Sequence, residues 1–234
     1  MKSYSSSLIL KTGGYGLRAT DYGLLKMPQD FRAYLEAALS SFDLEALTET
    51  QLDQLVKHYS MLRHWNRRTN LTRIIEAKEA AMLHYAESLL GVRLIGDATS
   101  VLDIGSGPGF PAVPLTVARP GVQVTALEAN QKKSLFLKEV KDELSLANFT
   151  VVRARLESFD SSSYDLLTIR ALDRAEAILP SVIGRLAGRQ RLMLYCARGL
   201  LTTLEQSLDS SLSVETHDIP QSESRLIATF SREE

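Results

Sequence analysis

The stretch Val101-Leu102-Asp103-Ile104-Gly105-Ser106-Gly107-Pro108-Gly109-Phe110-Pro111 sets three glycines at alternate positions, directly after an apolar run and before a helical one. Glycine lacks a Cβ, so the backbone can turn sharply there and a ligand can lie against it. A strand that ends in such a turn and continues as a helix opens a βαβ unit. The rhythm then repeats. Val101 to Ile104, Val122 to Leu127, Phe149 to Val152, Leu166 to Ile169 and Leu192 to Tyr195 read as strands. Helices are expected between them near Phe110 to Ala118, Gln131 to Leu146, Arg174 to Leu186 and Leu200 to Leu208. That alternation predicts a mostly parallel, doubly wound sheet covered on both faces, an α/β fold of the Rossmann-like kind. Val214 to Ile219 and Arg225 to Phe230, joined by a short polar connection, predict an antiparallel hairpin at the sheet edge.

Upstream of Ser100 the pattern is helical. Phe31, Leu35, Leu39 and Phe42 recur at helical spacing after Pro28. Thr48-Glu49-Thr50-Gln51 spells a capping box ahead of Leu52, Leu55, Val56, Tyr59 and Leu62, so a second helix runs to about Asn70. A third covers about Ile75 to Leu90. The expected organisation is an extension over 1–27, poorly ordered and without an assigned role, a helical cap over 28–98 and the α/β core over 99–234.

Composition removes several classes. No apolar run approaches the roughly 20 residues of a membrane helix. Leu8-Ile9-Leu10 is too short for the hydrophobic part of a signal peptide, so secretion is not expected and a cytoplasmic location is. The single Cys196 excludes an internal disulfide, and His58, His64, His84 and His217 show no metal-ligand spacing, so no metal is expected. The net charge of -1 conceals an asymmetry. Residues 205–234 hold seven acids against two arginines, which leaves 25 basic and 21 acidic residues in the first 204. Arg185, Arg189, Arg191 and Arg198 follow one another with no intervening acid, and a second cluster, Arg63 to Arg68 with Arg73, mixes cations with Trp65.

The glycine turn by itself is weak evidence for a ligand. Glu128 strengthens it, because it closes the next strand about 20 residues later, where an acid accepts hydrogen bonds from ribose hydroxyls. A nucleoside-containing cofactor follows. A dinucleotide fingerprint would read Gly-x-Gly-x-x-Gly and leave a helix N-terminus open for a pyrophosphate. Here the spelling is Gly-x-Gly-x-Gly, with Pro108, Phe110 and Pro111 crowding the helix start, which suits a ligand without phosphates such as S-adenosylmethionine. Tyr22 and Lys26 have the spacing of a dehydrogenase pair but lie upstream of the sheet.

With these pieces in place the chain resembles the bacterial 16S ribosomal RNA guanine-N7 methyltransferases, also called glucose-inhibited division protein B. The resemblance rests on Trp65-Asn66 with Asn70-Leu71-Thr72, His84 with Glu87-Ser88-Leu89, Asp103 to Pro114, Lys132-Lys133 with Phe136-Leu137, Ala154-Arg155-Leu156-Glu157 and Arg170-Ala171. These occur in the family's order and cover about residues 48 to 230. Glu87 stands where the family usually has Asp, and Arg198-Gly199 where it usually has Lys-Gly. The resemblance implies a class I methyltransferase fold, S-adenosylmethionine as cofactor, and 16S ribosomal RNA or the small subunit as partner. It also implies that Gly105 and Phe110, with Gly107 and Gly109 of the same turn, meet the cofactor, that Leu156 and Glu157 flank its adenine, and that Arg170 belongs to the same site.

The ring nitrogen at position seven of guanine carries a lone pair and no proton, so it can attack the sulfonium methyl in line without a general base. No catalytic acid or base is assigned. Cys196 between Tyr195 and Ala197 reads as a buried strand residue rather than a nucleophile. Arg67, Arg68, Arg73, Arg174 and Arg198 are the candidates to meet RNA phosphates. Trp65 reads as helix packing, because it continues the stripe of Leu55 and Leu62, and His84 reads equally well as a core hydrogen-bonding residue. A monomer is expected. A methyltransferase of the same fold with another substrate, and a nucleotide- or RNA-binding module without turnover, stand as the alternatives.

Overall fold

The computed structural model describes residues 29–170, 175–206 and 211–232. Helix α1 (Gln29–Ser41) and α2 (Glu49–Thr69) begin it. The Thr48 hydroxyl accepts from Gln51 N and Gln51 Oε1 accepts from Thr48 N, the reciprocal cap its spelling predicts. Asn70 ends α2 in the left-handed region, at φ 44°. The third helical stretch, α3, is a composite over 77–94. A short α segment (Ala77–Ala80) leads into a π turn (Ala81–Ala86), a second α segment (Glu87–Leu90) and a 3₁₀ turn (Gly91–Leu94). It therefore runs four residues past the expected end at Leu90.

The sheet has seven strands, β1 (Ser100–Ile104), β2 (Gln123–Leu127), β3 (Phe149–Val152), β4 (Leu166–Arg170), β5 (Arg191–Ala197), β6 (Leu212–Asp218) and β7 (Arg225–Arg232), in the order β3-β2-β1-β4-β5-β7-β6. The first five are parallel and β7 runs antiparallel to β5. The expected edge hairpin is present, and its later strand is the inner one, with β6 forming the margin. Between the strands lie α4 (Ala112–Ala118), α5 (Gln131–Glu143), α6 (Ala175–Gly184) and α7 (Arg198–Glu205). The order reverses at β1, which pairs with β2 on one side and β4 on the other, Ile104 lying opposite both Leu127 and Ile169. Ligands in such sheets bind outside the carboxyl ends of the strands at this switch point.

Two apolar layers cover the sheet. On one side Leu102, Ile104, Ile169 and Leu194 pack with Leu179, Val182, Leu201 and Leu204 of α6 and α7. On the other, Phe31, Leu55, Trp65 and Tyr85 of the first three helices share one buried cluster with Val113, Leu115, Phe136 and Val140 of α4 and α5. At roughly 25 cal/mol per Å² of apolar area, a fully buried aromatic such as Trp65 contributes on the order of 2–3 kcal/mol, so detaching the cap would forfeit many such increments. The direction of α2 follows from its contacts. Gln51 Nε2 donates to Val117 O at the end of α4 and Gln54 Nε2 to Leu144 O beyond α5, while His58 reaches Pro108 in the glycine turn. Its last turn, with exposed Arg67 and Arg68, therefore lies at the carboxyl end of the parallel strands. Among the described residues no helix is long and apolar enough to cross a membrane.

Candidate functional site

The turn after β1 is built as its glycines demand. Gly105, Gly107 and Gly109 all have positive φ, at 72°, 57° and 99°. Any side chain is strained in that region, and a Cβ on Gly109 would stand 2.6 Å from Val113 Cγ2. Gly109 is buried against Val113 and Leu137 and is not among the residues that line the cleft bordered by Glu128.

The amides of this turn are already used. Gly105 N and Ser106 N donate to Leu127 O, Gly107 N donates to Glu128 Oε2 at 2.8 Å, and Gly109 N and Phe110 N donate to Ser106 O. Pro108 and Pro111 have no N–H to offer. Residues 105–111 thus leave no unengaged amide with which to cradle a phosphate, a physical difference from phosphate-binding glycine turns.

Glu128 has a role that its position in the sequence does not reveal. Its side chain is buried, and its second oxygen accepts from Asn130 N at 2.7 Å. One carboxylate therefore ties the glycine turn to the N-terminus of α5. It also borders a cleft of about 490 Å³, which Gly105, Asn130, Leu156 and Glu157 line as well. A carboxylate has about four lone-pair sites and two are engaged, so Glu128 keeps acceptor capacity on the cleft side. Leu156 and Glu157 lie in a 3₁₀ turn (Leu156–Ser158), the first half-buried and the second exposed at the rim. An adenosine bearing an amino-acid arm fits this set: an apolar wall, two acids for hydroxyl groups, Lys133 and Arg155 for a carboxylate, no free turn amides, and a volume within the roughly 300–1,000 Å³ of small-molecule sites.

Two other residues expected here lie elsewhere. Phe110 is buried, stacked on His84 with ring centres 4.4 Å apart, and it packs edge-on against His58 and Tyr85. It holds the cap against the turn and does not line the cleft. Arg170 is fastened to α3: it donates to Leu83 O, His84 O and Ser88 Oγ, pairs with Glu87, and lies over the Tyr195 ring. It borders a second cleft next to the first, with Glu87, Tyr195 and Arg225. A long side chain on the last residue of a strand can point to either neighbour, and the acid and carbonyls of α3 draw this one.

His58, whose place in the site was not expected, is fully buried between the cap and the turn. Its Nδ1 lies 2.8 Å from the Tyr85 hydroxyl and its Nε2 3.1 Å from Pro108 O, so the neutral ring accepts from one and donates to the other. Burial pulls its pKa down to about 4. The signal was available, since His58 falls three residues after Leu55 and four before Leu62 on the apolar stripe of α2. His84 bonds Thr72 Oγ1 at 2.9 Å, and burial lowers its pKa to about 3. Trp65 is buried against Phe136, as its stripe predicted. Cys196 is buried and desolvation pushes its thiol up to about 11, unsuited to a thiolate nucleophile.

Arg67, Arg68 and Arg73 are exposed near the end of α2. Arg198 is exposed at the start of α7, at the same end of the sheet, paired with Asp218 and donating to Glu223 O. Arg174 lies outside the described residues, as do residues 1–28. The run of arginines without acids does not form one patch. Arg191 and Arg198 flank the seven-residue β5, on the order of 20 Å apart at about 3.3 Å per residue, and Arg191 is turned to Leu94 O and Ile95 O.

Residues 51–221 match the family described as rRNA small subunit methyltransferase G. The chain is 37% identical over 154 residues to the Ribosomal RNA small subunit methyltransferase G of Stenotrophomonas maltophilia, covering 65% of this chain and 71% of that one. It is 39% identical over 140 residues to the protein of the same name from Chromobacterium violaceum, covering 59% and 66%. Among solved structures it is similar to a putative O-methyltransferase from Klebsiella pneumoniae, with a TM-score of 0.56 and 14% identity over 89% of this chain and all of that one. It is also similar to a ribosomal protein L11 methylase from Lactobacillus delbrueckii, at 0.53 and 16% over 65% and 80%. The solved structures share the sheet with its flanking helices, and the family match, spanning the second cap helix, the glycine turn and all five parallel strands, shows that the chain belongs to the rRNA small subunit methyltransferase G family.

Proposed function

We propose that the protein transfers the methyl group of S-adenosylmethionine to the N7 of a guanine in 16S ribosomal RNA, free or within the small subunit, in the cytoplasm. The observation that carries the cofactor is the glycine turn: every amide it has is spent within the protein, and the Glu128 carboxylate borders the cleft at the end of β2, with Lys133 and Arg155 also in its lining. Such a site favours a sulfonium nucleoside over a dinucleotide. Family membership supports the ribosomal RNA substrate.

Bound in the first cleft, S-adenosylmethionine supplies an electrophilic methyl group. The protein's own part is positional. Glu128 fixes the glycine turn and offers its remaining lone pairs toward ribose hydroxyls, Leu156 covers one side of the cleft, and Glu157 stands at its rim. Guanine N7 carries no proton, so no side chain has to remove one. Holding the donor and the base in line supplies the acceleration. In this reading residues 99–234 form the reacting unit, and the cap over 28–98 buttresses the turn and presents Arg67, Arg68 and Arg73 to the phosphates. Those cations, with Arg198, share the carboxyl end of the sheet with both clefts.

The test is transfer of labelled methyl from S-adenosylmethionine to small-subunit RNA and to subunits from cells lacking the gene, followed by mapping of the modified base. One labelled guanine, cleavable under conditions specific for ring-nitrogen methylation, is the expected result. Cofactor binding without transfer to RNA or particles would overturn the substrate and leave the fold intact.

A further inference from the structure

The second cleft, about 290 Å³, opens at the carboxyl ends of β4 and β5, beside the first. Its size is at the bottom of the range for small-molecule sites and suits one ring system rather than a nucleotide with its phosphate. The two clefts meet along a single register pair: Ile104 lines the first, Ile169 the second, and the two are partners across β1 and β4. Paired strands are about 4.8 Å apart, so a group passing from one cleft to the other crosses one strand spacing.

The walls of this cleft are mostly aliphatic, and Glu87 is its only acid among the described residues. The Glu87 carboxylate is 3% exposed. Its Oε2 accepts from Arg170 Nη2 at 2.8 Å. Its Oε1 lies 2.8 Å from Arg225 Nη2 as an ion pair, and this buried oxygen, with two lone pairs, keeps an acceptor direction beyond that contact. Arg225 Nε is likewise buried and has no hydrogen-bond acceptor among the described residues. A buried acid with two guanidinium groups is a costly way to fasten an element. The cap also does not need it there, because Tyr195 donates to Ser88 O and Arg170 to Leu83 O, His84 O and Ser88 Oγ.

An acceptor beside a donor in an aliphatic slot matches one edge of a purine. Guanine places its N1–H and 2-amino donors next to its O6 acceptor, whereas adenine has an unprotonated N1 at that position. The N7 of guanine lies on the other side of the ring system, facing away from a contact made through N1 and the 2-amino group.

We propose that the cleft between β4, β5 and α3 is the pocket for the target guanine, with Glu87 accepting from its N1–H and 2-amino group and setting base specificity. The assignment rests on the guanine reading above. RNA enzymes reach a base by taking it out of the stack, and a slot sized for one base is consistent with that.

The experiment is single-turnover methyl transfer from S-adenosylmethionine to ligated small-subunit RNA carrying either guanosine or inosine at the mapped position. Inosine lacks only the 2-amino group. The wild type should favour guanosine about tenfold or more, the effect of one hydrogen bond to a charged acceptor, and Glu87→Gln should bring the two rates to within about threefold. A ratio that Glu87→Gln leaves unchanged would overturn the assignment, whatever its overall rate. Ala197→Trp, which fills the mouth of the cleft from an exposed strand end, should cut transfer at least tenfold with S-adenosylmethionine affinity within twofold of wild type. Transfer at the wild-type rate by that variant would also overturn it, and the Ala197→Trp result decides if Glu87→Gln does not bind cofactor. A wild type that methylates neither RNA would instead strike at the function, not at the pocket.

Discussion

Replacing His58 by glutamine tests whether the cap is locked to the glycine turn through a neutral imidazole. The ring has no exposure, and it is held by the Tyr85 hydroxyl on one nitrogen and Pro108 O on the other. Its pKa in the folded protein is about 4, against about 6.5 in an unfolded chain. As the pH falls below 6.5 the unfolded chain takes up a proton that the folded ring refuses until about pH 4. His58 therefore makes no pH-linked demand above 6.5, and it lowers stability progressively on the way down. Between pH 7.5 and 5.0 this linkage removes about 2 kcal/mol. His84, lowered to about 3, acts in the same direction. Asp103 and Glu139, raised by desolvation to about 6 and about 7, act oppositely, because the folded state binds their protons first. The wild type alone thus shows only the sum. The difference between wild type and His58→Gln isolates one ring. Glutamine keeps a donor for Pro108 O but fits the ring's slot poorly, so the variant should be about 1–2 kcal/mol less stable at pH 7.5. In urea titrations the gap should then shrink by about 2 kcal/mol at pH 5.0, closing or changing sign. A gap that stays the same at the two pH values would refute the neutral buried ring.

Glu128→Ala removes the acceptor of both Gly107 N and Asn130 N, so it should weaken S-adenosylmethionine at least tenfold by calorimetric titration; unchanged affinity would defeat the assignment of this carboxylate to the cofactor cleft. Gly109→Ala forces a Cβ to 2.6 Å from Val113 Cγ2 at φ 99°, and should lower stability by about 2 kcal/mol or more in a urea titration. Cys196→Ala should leave the methyl-transfer rate within about twofold of wild type, because its buried thiol is pushed up to about 11 and bears no covalent role; a rate lowered a hundredfold in a variant that still binds cofactor would restore the nucleophile.

The doubly wound sheet was readable because each parallel strand is a short apolar run closed by turn residues, and because the glycine turn follows the first of them, β1, where the order of the parallel strands reverses. The capping box at Thr48, the burial of Trp65 and the edge hairpin were readable for the same kind of local reason: side-chain periodicity and turn chemistry act over a few residues. Boundaries were less so. The π turn inside α3 lies against α1, and no residue in Ala81-Met82-Leu83-His84-Tyr85-Ala86 announces it. Glycine at 105, 107 and 109 by itself determined a turn of positive φ, and proline at 108 and 111 determined that it offers few amides. Tertiary structure alone decided where those amides go. It also turned Arg170 away from the first cleft to the carbonyls of α3, made Phe110 a packing partner of His84, and brought Glu87, Arg170 and Arg225 together from positions 138 residues apart at the extremes. The physical reason is one of range. Backbone conformation and amphipathic faces are fixed by neighbours in the chain, whereas the partner of a long charged side chain is whichever opposite group the assembled elements carry into reach, and a single sequence does not state that distance.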